Sequence, residues 1–99
     1  MTRNIAGTEV EVNDEGYLTD MSIWNEQIAG AIAAEEGIIP LTEAHMRVIR
    51  HLRDQQSQGT ALTIRGMGRS GIVSTKELYE LFPGGPLKKS SKIAGIPKP

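Results

Sequence analysis

The sequence has 99 residues, 38% of them apolar and 23% charged, with a formal net charge of -1. This length fits one domain, and the near-neutral charge argues against a disordered chain. Cysteine is absent, which excludes disulfides, thiolate metal sites and cysteine nucleophiles within these residues.

The N-terminal stretch predicts a small antiparallel hairpin. Thr8–Val12 alternates polar and apolar side chains, as expected of a half-buried strand. Ala6–Gly7 can turn the chain before it, and Asn13–Gly16 is a turn cluster after it. A lone hairpin is marginal in water, so we expect it to pack on helices.

A first helix is predicted from about Ser22 to Glu36, capped by Asp20 or Ser22. Its apolar residues recur every four positions and form one stripe, made of Trp24, Ile28 and Ile32. We interpret the only tryptophan, Trp24, as a core anchor rather than a ligand-stacking residue.

A second helix is predicted from a Thr42 cap to about Gln56. The side chains predicted to face the core are His45, Val48, Ile49 and Leu52. Those predicted to face solvent are Arg47, Arg50, Arg53 and Asp54.

The next segment predicts two short helices. Thr60 can cap a helix from Ala61 to about Met67, after which the glycines of Gly66–Gly71 favour a loose turn. Ser74–Glu77 matches a capping box, so a fourth helix should begin there and stop before Pro83.

A fifth helix is predicted over Leu87–Ala94, with Pro86 at its first position and Gly95 closing it. The tail 96–99 holds two prolines and cannot extend the helix. The spacing of Ile93 and Ile96 predicts that Ile96 packs back on the helix, while Lys98 and Pro99 stay free.

The charge is unevenly distributed, with nine acidic and one basic residue before His45 and ten basic and three acidic residues from there on. Two halves of opposite charge can neutralise each other in one fold, or the basic half can expose a face to nucleic acid or an acidic partner.

The predicted third and fourth helices have a helix-turn-helix outline, but Glu77 and Glu80 oppose contacts with DNA bases. Possible phosphate or nucleic-acid contacts are Arg65, Arg69 and Lys76.

The glycine-rich motif and the two histidines do not predict a cofactor or metal site. Gly66–Gly71 spells G-x-G-x-x-G, but no preceding parallel strand is predicted, so a turn is favoured over a dinucleotide site. His45 and His51 are six residues apart and lack a third ligand, so no metal site is predicted. We expect no cofactor. No membrane-spanning run or signal peptide is visible, which favours the cytoplasm.

Four segments in order resemble the DsrC/TusE family over nearly the whole chain. They are DEGYL (14–18), LTEAH (41–45), LYELFP (78–83) and KIAGIPKP (92–99). The resemblance implies a mostly α-helical fold with a small N-terminal β-hairpin, as one domain over 1–99 with a C-terminal arm at 95–99. It also implies a role in sulfur metabolism, with sulfur passed on or presented to reductases.

The family pattern continues past PKP to a penultimate cysteine, and some members have a second cysteine where this sequence has Ser91. Serine forms no persulfide. We therefore expect no catalytic residue and a non-catalytic binding or regulatory role with a sulfur-relay, sulfite reductase or heterodisulfide reductase partner. The alternatives are a DNA-binding regulator of sulfur genes and a carrier whose terminal cysteine lies beyond this chain. The residues predicted to bind the partner are Lys88, Lys89, Lys92, Ile93, Gly95, Ile96, Pro97 and Lys98.

Overall fold

The computed structural model describes residues 1–97, which contain one two-stranded sheet and five α-helices. The strands are β1 (Thr2–Ile5) and β2 (Thr8–Glu11). The helices are α1 (Glu26–Glu35), α2 (Glu43–Ser57), α3 (Ile64–Arg69), α4 (Thr75–Leu81) and α5 (Pro86–Ile93), and a 3₁₀ turn at Met21–Ile23 precedes α1. The predicted mostly α-helical fold with an N-terminal hairpin is confirmed.

The hairpin pairs β1 with β2 in antiparallel register, with Ile5 opposite Thr8. Ala6 and Gly7 have φ values of 53° and 80°, the left-handed pair that a two-residue hairpin turn needs. The predicted turn is therefore confirmed. The alternating pattern did not reveal β1, which supplies the pairing strand. An isolated bridge between Val12 and Leu18 extends the pairing to the next segment.

The core lies where the hairpin and the helices meet, and α5 packs against both α1 and α2. The stripe predicted for α2 is confirmed as buried. The larger side chains that are almost fully buried include Val10, Val12, Ile28, Ile32, Ile49, Leu52, Leu78, Phe82, Ile93 and Ile96. The apolar periodicity of the helices thus marks their inner faces correctly.

The first helix begins four residues later than predicted, at Glu26. The carbonyl oxygen of the Asn25 side chain accepts the Ile28 N–H at 2.9 Å, so Asn25 is the N-cap. Asp20 caps only the 3₁₀ turn, and Trp24 is extended with ψ 143°. The prediction of a helix from Ser22 with Trp24 in its stripe is therefore wrong, although Trp24 does pack against the core.

The third helix also begins later than predicted, because Thr63 rather than Thr60 supplies its cap. The Thr63 hydroxyl accepts the Gly66 N–H at 2.9 Å. The prediction that the glycines of this segment form a loose turn is therefore wrong for Gly66 and Gly68, which lie inside α3. The capping box of α4 is confirmed, since Ser74 and Glu77 each bond the other's backbone N–H.

The fifth helix begins at Pro86, as predicted, and its last residue is Ile93. Ala94 is its C-cap, and Gly95 follows in the left-handed conformation with φ 69°. Over residues 1–97, no helix has both the length and the apolar character needed to cross a membrane.

Candidate functional site

The C-terminal end of α5 is closed by a complete Schellman motif. The Ile96 N–H donates to the Ser91 carbonyl at 3.2 Å, and the Gly95 N–H donates to the Lys92 carbonyl at 3.2 Å. Ile96 itself is 0% exposed, so its predicted packing is confirmed. The predictions for Lys98 and Pro99 lie outside the described residues.

The next two carbonyls of this end are bound by side chains from elsewhere in the chain. The Trp24 indole Nε1–H donates to the Ile93 carbonyl at 2.8 Å. Arg53 on α2 donates from Nη1 to the Ala94 carbonyl at 2.8 Å and from Nη2 to the Met21 carbonyl at 3.0 Å. A helix end leaves its last carbonyls without helical partners, and here long-range donors supply them.

Trp24 and Arg53 also contact each other. The Arg53 guanidinium carbon lies 4.3 Å from the Trp24 ring centroid, within the range of a cation–π interaction. Burial lowers the pKa of the Arg53 guanidinium, but arginine stays protonated in proteins. The prediction that Arg53 faces solvent is wrong, because its charged group turns inward to these two carbonyls.

Gly95 fits its position for two reasons. Its φ of 69° belongs to the left-handed region that favours glycine. A Cβ atom there would lie 2.4 Å from Trp24 Cδ1 and 3.0 Å from Leu18 Cδ1. The indole therefore packs directly on the backbone where the chain leaves α5.

Basic side chains line a cleft of about 250 Å³ beside α5. Lys88 is exposed, whereas Lys89 and Lys92 are half-buried. Lys92 pairs with Glu36 at 3.1 Å, and the Tyr17 hydroxyl donates to the Lys88 carbonyl at 3.1 Å. The full lining is Glu15, Tyr17, Glu36, Gly84, Lys88, Lys89 and Lys92.

An open, mostly apolar groove of about 540 Å³ adjoins this cleft, and both share Gly84 and Lys88. Tyr79 on its wall is 50% exposed. The groove is lined by Leu62, Ile64, Tyr79, Gly84, Gly85, Pro86, Leu87 and Lys88. One side of α5 thus offers adjoining apolar and basic surface.

The residues predicted to bind a partner fall into two groups. Ile93, Gly95 and Ile96 are buried and hold the segment in place. Lys88 and Pro97 are exposed, and Lys89 and Lys92 are partly accessible. Lys98 lies outside the described part of the chain.

Ser91 is fully buried on α5. Among residues 1–97 its hydroxyl has no hydrogen-bond partner, whereas the neighbouring Ser90 hydroxyl donates to the Pro86 carbonyl at 2.6 Å. A buried hydroxyl without a partner costs free energy. Within the described part of the chain, no base is therefore hydrogen-bonded to it that could activate it as a nucleophile.

The residues considered for phosphate or nucleic-acid contact, Arg65, Arg69 and Lys76, are exposed on α3 and α4. Gly66 lies inside α3 and donates to Thr63, and no strand leads into this helix, so the glycine motif does not form a dinucleotide site. Exposure alone does not show binding, so contact of these three side chains with phosphate or nucleic acid remains a prediction.

His45 has a structural role that the sequence pattern did not reveal. Its Nδ1 accepts the Thr42 N–H at 3.1 Å, which makes it the third residue of a capping box usually completed by Glu or Gln. Its Nε2–H donates to the Leu81 carbonyl at 2.9 Å. Within residues 1–97, no group of three or more His, Asp or Glu side chains could hold a metal ion.

Comparison with known proteins identifies the class. The family model described as "DsrC like protein" matches residues 4–99, and the chain belongs to this family. It is 39% identical over 101 residues to the sulfurtransferase TusE of Sodalis glossinidius, covering 94% of this chain and 93% of that protein. It is 41% identical over 104 residues to a TusE homolog of Haemophilus influenzae, covering 97% and 94%.

Solved structures agree with this assignment. Dissimilatory sulfite reductase I (DsrI) superposes with a TM-score of 0.88 at 33% identity, covering 100% of this chain and 96% of that one. DsrC of Allochromatium vinosum gives 0.83 at 33% identity, covering 99% and 94%. The oxidized DsrC of Archaeoglobus fulgidus, a gamma-subunit of dissimilatory sulfite reductase, gives 0.82 at 32% identity, covering 100% and 96%. The predicted family is confirmed, and these comparisons give the DNA-binding hypothesis no support.

Proposed function

We propose that this chain is a non-catalytic binding component of a cytoplasmic sulfur-relay or sulfite reductase system. It docks a protein partner through α5 and the segment that follows it. The observation that carries the proposal is the combination of a tightly held α5 terminus with a lysine-lined cleft beside it, in a sequence of 99 residues without cysteine.

The surface beside α5 supports partner docking. Among residues 1–97, Lys88 and Lys89 form no ion pair, so their charges are available to an acidic surface. The adjoining groove adds apolar area around Tyr79, and interfaces combine an apolar centre with a polar rim. The relatives named above include a protein described as the gamma-subunit of the dissimilatory sulfite reductase.

The absence of cysteine supports the non-catalytic part. A persulfide needs a thiol, and the 99 residues contain none. Ser91 does not replace it, because a serine hydroxyl stays protonated near neutral pH and forms no disulfide. These residues can therefore bind a partner or compete for it, but cannot themselves hold sulfane sulfur.

A competition assay tests the docking. A labelled, cysteine-bearing TusE relative is bound to its purified relay or reductase partner, and this chain is titrated in. We expect the chain to displace the relative at concentrations at or below tens of micromolar, an ordinary range for transient complexes.

The Lys88→Glu/Lys89→Glu double variant should compete at least about tenfold more weakly, because it reverses two charges at the interface. The matched control, Arg65→Glu/Lys76→Glu, should compete like the wild type. Failure of the wild type to displace the relative from any such partner would refute the proposal.

A second assay tests the non-catalytic role. The chain and the cysteine-bearing relative are each incubated with a protein persulfide donor carrying radiolabelled sulfur. We expect label on the relative alone. Stable label on this chain that is released by a thiol reductant would contradict the proposal.

A further inference from the structure

At the C-terminal end of α5, every backbone carbonyl from Ser90 to Ala94 accepts a hydrogen bond. Three donors come from the helix and its Schellman motif, on the carbonyls of Ser90, Ser91 and Lys92. The last two carbonyls, of Ile93 and Ala94, take their donors from the Trp24 indole and the Arg53 guanidinium. The end of the helix is thus tied to two other parts of the chain.

The two donors support each other. Arg53 lies on the Trp24 ring and also binds the carbonyl of Met21, in the 3₁₀ turn just before Trp24. A planar guanidinium can bond two carbonyls from separate nitrogens while its flat face stacks on a ring, whereas an ammonium group has a single nitrogen and no flat face. Arg53 thereby joins α2, the turn before Trp24 and the end of α5.

This arrangement acts at the point where the chain leaves α5. The indole packs on Gly95, leaving no room for a Cβ there, and Ile96 is fully buried just beyond it. Pro97 is the first exposed residue after this point. The indole and the guanidinium thus contact the backbone immediately before Pro97, at Ile93, Ala94 and Gly95.

We propose that Trp24 and Arg53 form a clamp that fixes the direction of the segment after α5, and that partner recognition depends on this direction. The recognition part rests on the function proposed above, whereas the clamp itself stands without it. Both are positioning residues: they act through the backbone of residues 93–96, and neither is required to touch the partner.

The test uses full-length variants that weaken the clamp in different ways. Trp24→Phe keeps a ring for Arg53 but removes the N–H donor, and Arg53→Gln removes the charge and shortens the side chain that reaches the Ala94 and Met21 carbonyls. Arg53→Lys keeps the charge and is the milder substitution if Arg53→Gln folds poorly. Arg50→Gln on the same helix is the matched control, because Arg50 is exposed and pairs only with Glu26 and Glu43 among the described residues.

Two readouts separate positioning from simple destabilisation. Hydrogen exchange of the Ile96 amide reports the clamp, and the competition assay reports recognition. We expect Trp24→Phe and Arg53→Gln to accelerate Ile96 exchange and to weaken competition by about tenfold each, the size of one lost hydrogen bond to a well-placed donor. Arg50→Gln should leave both unchanged. Val10→Ala, which weakens the core under the hairpin, should lower the melting temperature. It should leave competition unchanged, and it should accelerate exchange of the Ile96 amide no more than the loss of global stability requires.

Each outcome decides the proposal. Unchanged Ile96 exchange in both Trp24→Phe and Arg53→Gln would overturn the clamp. Faster exchange with unchanged competition would overturn the dependence of recognition on it. Weaker competition in Val10→Ala, equal to that in Trp24→Phe, would also overturn that dependence, because stability alone would then explain the loss. If the wild type binds no partner, the proposed function fails and recognition falls with it, while Ile96 exchange still decides the clamp.

Discussion

The α3–α4 region and the end of α5 are built in opposite ways. Helices α3 and α4 are each started by a local cap, Thr63 or Ser74, and each buries one residue, Met67 or Leu78. The end of α5 instead depends on side chains about 70 and 40 residues away in sequence, Trp24 and Arg53. Short-range signals suffice to start a helix, but holding a chain end in one direction requires long-range contacts.

The largest difference between the regions should appear when a left-handed glycine is replaced in each. Gly95→Ala should destabilise the protein by about 3 kcal/mol, because it combines left-handed strain with displacement of Trp24. Gly71→Ala should cost only about 1 kcal/mol, since φ is 79° there but the Cβ meets open space. Urea unfolding of both variants measures the difference, and equal losses would contradict the role of Trp24.

A pair of isoleucines tests packing in the two regions. Ile96→Ala removes a fully buried side chain and should cost about 2–4 kcal/mol. Ile72→Ala, in the loop between α3 and α4, should cost less than about 1 kcal/mol, because Ile72 is 38% exposed. Thermal and urea unfolding report both values. A loss below about 1 kcal/mol for Ile96→Ala would show that the segment after α5 adds little to the core.

Two serines should respond with opposite sign. Ser74→Ala removes the cap of α4 and should destabilise by about 1 kcal/mol. Ser91→Ala should be neutral or stabilising by up to about 1 kcal/mol, because its hydroxyl is buried without a partner among residues 1–97. Denaturant midpoints at constant m-value settle the comparison. Marked destabilisation by Ser91→Ala would reveal a bonded hydroxyl.

The smallest effect concerns the turn that leads to Trp24. The Ser22 hydroxyl and backbone N–H both bond the Asp20 carboxylate and lower its pKa. A lowered carboxyl pKa stabilises the fold above the unfolded value and loses that contribution as pH falls through the folded one. The melting temperature of Asp20→Asn should therefore lie slightly below the wild type at pH 7 and converge with it below about pH 4. A gap that persists in acid would exclude the carboxylate as its cause.

Features of the fold that depend on neighbouring residues were predictable from the amino-acid sequence. The Thr42 cap and the apolar stripe located α2, the Ser74–Glu77 capping box located α4, and Pro86 and Gly95 marked the two ends of α5. The family segments led to the correct fold because they span nearly the whole chain. The late starts of α1 and α3 were missed because Asn25 and Thr63 compete with equally good caps a few residues earlier.

The roles of Trp24, Arg53 and His45 became visible only in the folded chain, because each of them contacts residues distant in sequence. Helical periodicity predicted that Arg53 faces solvent. The position of an arginine within a helix does not show that the Ala94 carbonyl, at the end of α5, lies within reach of its side chain. His45 completes a local cap on α2, with an imidazole where Glu or Gln is usual, and it also bonds the Leu81 carbonyl, a long-range contact that no local motif encodes. Buried carbonyls at a helix end need hydrogen-bond donors from outside the helix, and the tertiary packing of the chain determines which side chains supply them.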